Sequence, residues 1–173
     1  ELSFLQSSGP VSLSDISANR VIIVANHPLG GLDGLALLRL VSSVRRDVRI
    51  VVNELLLNIT QLNNLFLPVD AMGGETRKAD ISRILDALNN DEAVIIFPSG
   101  EVSRAGPKGI RDRKWLPGFI QLAKTAYAPV LPVHIKARNS NLFYVVSRIS
   151  RPLSMLMLPR EMLGFGGQMK FTI

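Results

Sequence analysis

The sequence predicts an α/β domain, layered, with a mostly parallel central sheet flanked by helices. Three observations carry that prediction. Apolar runs rich in β-branched residues recur, as in Val21-Ile22-Ile23-Val24-Ala25 and Ala93-Val94-Ile95-Ile96-Phe97, and such runs read as buried strands. Between them lie segments whose apolar residues fall at helical spacing. Strand and helix patterns alternate over a chain of 173 residues, a single-domain length, and alternation of this kind belongs to parallel sheets joined by crossover helices.

Taken in order, Arg20–Ala25 is the first strand, and the cluster Pro28-Leu29-Gly30-Gly31 ends it. A helix over Gly34–Ser43 follows, with Asp33 standing where an N-cap residue would. Val48–Val52 reads as a strand and Glu54–Asn58 as a short helix. Lys78–Asn89 reads as an amphipathic helix, with Ile81, Ile84, Leu85 and Leu88 as its core face and Asp80, Arg83 and Asp86 opposite. Ala93–Phe97 is a strand, Trp115–Ala126 a helix, and Val130–Ile135 and Leu142–Ser147 two further strands. The run Met155-Leu156-Met157-Leu158 is read as packing under the sheet, with lipid contact as the alternative. The Gly-rich stretch Arg160–Gly167 lacks the spacing of a phosphate-binding fingerprint and is assigned no chemistry.

The turn Asn26-His27-Pro28-Leu29-Gly30-Gly31-Leu32-Asp33 carries one of only two histidines in the chain. Histidine titrates near neutrality, so it can take a proton from a hydroxyl at working pH. A carboxylate on the far ring nitrogen fixes the tautomer and stabilises the imidazolium as it forms. Pro28 biases His27 away from helical backbone, and Gly30 and Gly31 let the chain fold tightly enough for Asp33 to turn back. A plain loop histidine beside a helix-capping aspartate is the competing reading. Sites in parallel sheets gather at the carboxyl ends of strands. The His27 loop and the Ser99 loop both follow strands, so one site can hold both. His134 lies inside a strand pattern and reads as structural. Two separated histidines without cysteine are a poor ligand set, so no metal is expected.

Asn26-His27 followed by Asp33 resembles the first motif of the glycerolipid acyltransferases, the lysophosphatidic-acid acyltransferase superfamily. That motif places four residues between His and Asp. Here five intervene, Pro28 to Leu32, and the Gly30-Gly31 pair is a natural place to absorb the insertion. The wording His-Pro-Leu-Gly-Gly-Leu-Asp-Gly is closer to a bacterial branch often labelled hemolysin, which includes O-acyltransferases that finish ornithine- or glycine-type aminolipids. Asn64-Leu65-Phe66-Leu67-Pro68-Val69-Asp70 is similar to the family's second block. There Ala71-Met72-Gly73-Gly74 follows Asp70, a departure from the arginine usual at that point. Ile95-Ile96-Phe97-Pro98-Ser99-Gly100-Glu101-Val102-Ser103-Arg104 resembles the third block, Phe-Pro-Glu-Gly-Thr-Arg-Ser. Ser99 replaces its Glu, and acid and base reappear as Glu101 and Arg104. Ala128-Pro129-Val130-Leu131-Pro132-Val133 is similar to the fourth, a strand carrying a proline. The four blocks stand in order from about Val21 to Val133.

The resemblance implies an O-acyltransferase acting at the cytoplasmic face of the inner membrane. His27, oriented by Asp33, would deprotonate the hydroxyl of a lysolipid acceptor, and that oxygen would attack the thioester of acyl-CoA or acyl carrier protein. No cofactor is implied beyond this co-substrate. Substrate-binding roles fall to Asn26, Phe66, Asp70, Ser99, Gly100, Glu101, Ser103, Arg104 and Pro132. Backbone N–H groups near Gly100 and the Arg104 cation suit an anionic head group or a developing oxyanion. The missing arginine after Asp70 leans toward a lyso-aminolipid over lysophosphatidic acid. Two other readings stay open: a catalytically inactive lipid-binding relative, and a serine hydrolase using Ser99 or Ser103 with His27. The hydrolase reading lacks a Gly-x-Ser-x-Gly elbow.

Composition agrees with this reading. The net charge is +6 and the isoelectric point about 10.2, a balance that favours nucleic acid, an anionic membrane surface or an acidic partner. No nucleic-acid-reading motif is present and aromatic residues are 6%, too few for stacking platforms, so nucleic acid is not an expected partner. Charge gathers in Arg104-Ala105-Gly106-Pro107-Lys108-Gly109-Ile110-Arg111-Asp112-Arg113-Lys114-Trp115. As a rim of the site this loop would attract a lipid head group, coenzyme A phosphates or an acidic carrier-protein helix; a merely solvated loop is the alternative. No cysteine is present, so disulfides and a thiol nucleophile are excluded. No apolar run nears the roughly 18 residues of a membrane span. The opening at Glu1 and the ending Phe171-Thr172-Ile173 suggest one domain, residues 1–173, excised from a longer chain.

Overall fold

Strand β1 (Val21–Ala25) is buried at every residue, and the site is built outward from its carboxyl end. The computed structural model describes residues 19–53, 60–69, 78–107, 109–164, 166 and 169–173. Around β1 run β2 (Val48–Asn53), β3 (Phe66–Val69), β4 (Ala93–Ile96), β7 (Val130–Lys136) and β8 (Lys170–Thr172), in the order β3-β2-β4-β1-β7-β8. β1 pairs in parallel with β4, Ile23 opposite Ile95, and with β7, Ile23 opposite Leu131. β2 is parallel to both β3 and β4. Only β8 runs antiparallel, along the outer edge of β7. Arg104–Gly106 and Gly109–Arg111 form a separate antiparallel hairpin, β5 and β6. Among the described residues the helices are α1 (Gly31–Ser42), α2 (Lys78–Asn89), α3 (Gly118–Ala126), α4 (Asn141–Ile149) and α5 (Arg151–Leu163), with a 3-10 turn over Thr60–Leu65. The domain is thus α/β with a mostly parallel sheet.

Alternate strand residues face opposite sides of a sheet, and β1 uses both. Val21, Ile23 and Ala25 pack with Leu37, Leu38 and Val41 of α1. Ile22 and Val24 pack with Ile84 and Leu88 of α2 and Ala126 of α3. Burying each of the Val, Leu and Ile side chains contributes about 1.5–3 kcal/mol, which explains why an uninterrupted apolar run sits at the centre. A third, smaller cluster joins Val102 to Phe143 and Tyr144 of α4, with Met157 and Leu158 of α5 against it.

Several expectations are corrected. Helix α1 begins at Gly31, not Gly34, and its N-cap is Gly30; Asp33 is the third helical residue. Gly30 has φ +88°, so the chain turns into the helix earlier than a side-chain cap would allow. Helix α3 begins at Gly118, not Trp115, because the residue before Pro117 is held out of helical backbone. Helix α2 has the expected bounds but a rotated face: Asp80 is buried and paired with Arg83 at 2.5 Å, whereas Ile81 is exposed. Leu142–Ser147 is not a strand but most of α4. Ser140 caps that helix, accepting the Phe143 N–H at 3.2 Å, and Phe143, Tyr144 and Ser147 bury at helical spacing.

The Met/Leu run is helical too, and it is divided. Met157 and Leu158 pack inward, while Met155 and Leu156 are exposed. α5 continues through Pro159 to Leu163, so half of the expected Gly-rich loop is helix. The expected helix Glu54–Asn58 lies outside the described residues, as does Asp70. No helix among the described residues is long and apolar enough to cross a membrane.

Candidate active site

The turn between β1 and α1 is closed by Asp33. Its carboxylate is fully buried and its Oδ2 accepts the Leu29 N–H at 2.6 Å and the Gly30 N–H at 3.0 Å. A carboxylate in the first turn of a helix that reaches back to the cap satisfies N–H groups otherwise left without partners. His27 Nδ1 lies 3.2 Å from the same Oδ2. The approach is off the line of a hydrogen bond, and both Nδ1 and Asp33 Oδ1 are buried without a hydrogen-bond partner. The contact is therefore one of proximity, with no aligned hydrogen bond between the two side chains. The His27 side chain is 18% exposed. Nδ1 is buried, so the exposure of the ring lies on its other atoms. Phe97 stacks on the imidazole, centroids 4.2 Å apart at 30°. The fifth spacer residue does not separate the pair, because the positive φ of Gly30 folds the extra length back.

The main chain of His27 is held by a different carboxylate. Asp112, just after β6, accepts the His27 N–H, which is 3.2 Å from each of its oxygens. Asp112 also accepts the Ser103 hydroxyl and, at 3.0 Å, the Trp115 indole N–H. The Ser103 N–H in turn donates to the His27 carbonyl at 2.7 Å. The loops after β1 and β4 thus meet directly, and the basic hairpin is tied to them by its one acid. Its cations Arg111, Arg113 and Lys114 stay exposed.

The loop after β4 turns sharply, the Gly100 N–H donating to the Phe97 carbonyl at 3.0 Å with Gly100 at φ +66°. Ser99 is fully buried and its hydroxyl donates to the Glu101 carbonyl at 2.9 Å. Glu101 pairs with Arg104 at 3.2 Å and lies 3.7 Å from Arg113. Arg104 further donates to Ser154 of α5 at 2.8 Å. A hydroxyl carries one proton, and a serine nucleophile must give it to its base. Ser99 and Ser103 give theirs to the Glu101 carbonyl and to Asp112, so neither is paired with His27.

Asn26, Phe66 and Pro132 are placed on or beside the sheet. Asn26 is committed to the sheet: its amide donates to the Ile135 carbonyl at 2.9 Å and accepts the Ile135 N–H at 2.6 Å. Phe66 is buried in the α1-side core on β3, three strands from β1. Pro132 is exposed on β7 beside Val24. His134 is exposed on the same strand, opposite Thr172 of β8.

Four residues that shape the site went unassigned in the sequence: Phe97, Asp112, Trp115 and Asn139. Asn139 is buried and donates through its side chain to the Pro28 carbonyl at 3.1 Å, while its own N–H donates to the Tyr144 hydroxyl at 3.1 Å. The available signal for Asp112 was its place as the lone acid in a basic run that ends on the single tryptophan.

The acyltransferase family matches residues 5–173. The chain is 35% identical over 148 residues to the lyso-glycine lipid O-acyltransferase of Phocaeicola vulgatus, covering 81% of this chain and 52% of that protein. It is 35% identical over 147 residues to the lyso-glycine lipid O-acyltransferase of Bacteroides thetaiotaomicron, covering 80% and 53% respectively. The chain spans about half the length of these curated relatives. No solved structure matches it.

Proposed function

This chain belongs to the acyltransferase family, and on that premise we propose that it catalyses transfer of a fatty acyl group from a thioester to the hydroxyl of a lyso-aminolipid. The observation that carries the reading is the His27–Asp33 contact of 3.2 Å on one turn, with Nδ1 buried against the carboxylate. Nε2 then takes the proton of the acceptor hydroxyl. The acceptor oxygen bonds to the thioester carbonyl carbon, the carbon–sulfur bond breaks, and the departing thiolate recovers the proton from His27. The buried Asp33 carboxylate offsets the imidazolium between those two transfers. No acyl-enzyme is required.

The relatives' name supports the acceptor class, since both are O-acyltransferases of a lyso-glycine lipid. The Gly100 and Ser103 N–H groups already donate to the Phe97 and His27 carbonyls, so neither is assigned to a developing oxyanion. Arg104 and Arg113 beside Glu101 suit an anionic head group. Acyl-CoA or acyl carrier protein is the donor, drawn to the exposed cations of the hairpin, and the reaction belongs at the cytoplasmic face of the membrane.

The test is acyl transfer by the full-length protein and His27→Ala on liposomes containing lysophosphatidic acid, lyso-ornithine lipid or lyso-glycine lipid. Palmitoyl-CoA and palmitoyl acyl carrier protein serve as donors, and products are read by mass spectrometry. Product with a lyso-aminolipid, reduced about 100-fold or more in the variant, is expected for loss of a general base. Undiminished product from the folded variant overturns the role of His27. No product with any pair returns the chain to a lipid-binding role, and labelling by a fluorophosphonate returns it to the hydrolases.

A further inference from the structure

We propose that the α4–α5 hairpin docks the protein on an anionic lipid surface, with the outer faces of both helices in the interface. The helices are antiparallel. Ser150 ends α4 and caps α5, and Glu161 near the end of α5 accepts the N–H and hydroxyl of Ser140 at the start of α4, both at 2.7 Å. On α5 one face looks inward: Ser154 is buried, and Met157 and Leu158 pack on the third core cluster. The other face is apolar and open. Leu153, Leu156 and Leu163 lie along it, and Leu142, Val145 and Ile149 form the matching stripe of α4. Ile149, Leu156 and Leu163 are 82%, 77% and 87% exposed.

Charge commits this face to one partner. From residue 138 to 164 the chain carries Arg138, Arg148, Arg151 and Arg160, all exposed, and a single acid, Glu161, which is occupied by Ser140. An apolar helical face flanked by arginines is the composition of an element lying in an anionic headgroup region. The same hairpin touches the catalytic turn from its inner side. Leu158 methyl carbons lie 3.4 Å from where a side chain on Gly30 would begin, and Ser154 holds Arg104. A lipid surface against the outer face would therefore sit one helix away from His27. The proposal rests on the reading of the acceptor as a membrane lysolipid.

The experiment is sedimentation of the full-length protein with phosphatidylglycerol-containing vesicles and with pure phosphatidylcholine vesicles, both free of lysolipid. Wild type is compared with the triple variant Ile149→Ser, Leu156→Ser, Leu163→Ser and with the double variant Arg148→Gln, Arg151→Gln. Circular dichroism melts check folding, and acyl transfer to a soluble short-chain acceptor is followed in parallel. Wild type should bind the anionic vesicles, the triple variant should bind at least about 10-fold more weakly, and the double variant should lose part of its salt dependence. Activity on the soluble acceptor should be unchanged in both. Wild-type binding by the folded triple variant overturns the proposal. So does a wild-type dimer that the triple variant breaks while vesicle binding persists, which assigns the face to a second copy. Vesicle binding that depends on the face, in a protein inactive on every lysolipid, leaves docking standing and removes the acyltransferase reading.

Discussion

Asp112 holds His27 by its backbone: the His27 N–H lies 3.2 Å from each carboxylate oxygen, while the ring is left to Asp33 and Phe97. One carboxylate positions the main chain and another faces the imidazole, so their substitutions should differ. Asp112→Asn replaces one acceptor with an NH2 that confronts the N–H groups of His27 or Trp115. If His27 acts as proposed, displacing its imidazole by up to about an ångström costs up to about 100-fold in rate. A fall of about 10- to 100-fold in kcat with little change in KM is expected. Trp115, the single tryptophan, reports the same change as a shift in its emission. Normal kcat with altered emission would show that Asp112 serves the fold alone.

The Gly30 backbone, at φ +88° and ψ −133°, is a conformation that L residues rarely adopt. An alanine there also brings its Cβ to 3.4 Å from Leu158. Gly30→Ala should therefore lose about 1–3 kcal/mol, read as a lower urea midpoint, and should lower kcat by opening the turn between His27 and Asp33. Gly31→Ala is the matched control: its Cβ meets nothing within 4 Å and it opens α1, so a change within about 1 kcal/mol of neutral is expected. Equal losses at both positions would refute the assignment of strain to Gly30.

Burial pushes the Tyr144 phenol above its ordinary value, and its oxygen accepts the Asn139 N–H at 3.1 Å. The folded state thus binds the phenolic proton more tightly than the unfolded chain does. That contribution is complete below the ordinary tyrosine value of about 10 and is lost as pH rises through the folded value. Tyr144→Phe removes the hydrogen bond, costing about 0.5–1.5 kcal/mol at neutral pH, and also removes the alkaline loss. Urea unfolding at pH 8, 9.5 and 10.5 should show the wild-type advantage shrinking at the highest pH. An advantage that stays constant would deny the buried phenol this role.

The parts of the fold that could be read from the sequence are those where local pattern and tertiary burial agree. β1, β4 and β7 are apolar β-branched runs bounded by breakers, and they pair as central strands. Local pattern reads α4 as a strand because Phe143, Tyr144, Val145 and Val146 favour strands one by one. The Ser140 cap and burial at helical spacing override them, and that burial depends on α5 and Val102, which no local window contains. The exposed stripes of α4 and α5 defeated the rule that places apolar residues inside. At the site, His27 and Asp33 were legible because a single turn holds them. Asp112 reaches His27 across 85 residues of sequence, so nothing near either residue announces the contact.

Asp33 does two jobs that separate by substitution. Its Oδ2 closes the turn on the N–H groups of Leu29 and Gly30, and its charge faces Nδ1 of His27. Asn at this position keeps a carbonyl oxygen for the two N–H groups but removes the charge that stabilises an imidazolium. Asp33→Asn should therefore melt within a few degrees of wild type while kcat falls by about 100- to 10,000-fold, the range for losing the partner of a catalytic histidine. Asp33→Ala removes both functions and leaves two buried N–H groups without an acceptor, at about 1–3 kcal/mol each, so its melting temperature should drop well below that of the Asn variant. If Asp33→Asn retains wild-type kcat with the turn intact, Asp33 is only a helix-capping residue. Among the described residues Asp112 could not take its place, because it bonds the His27 main chain and not the ring.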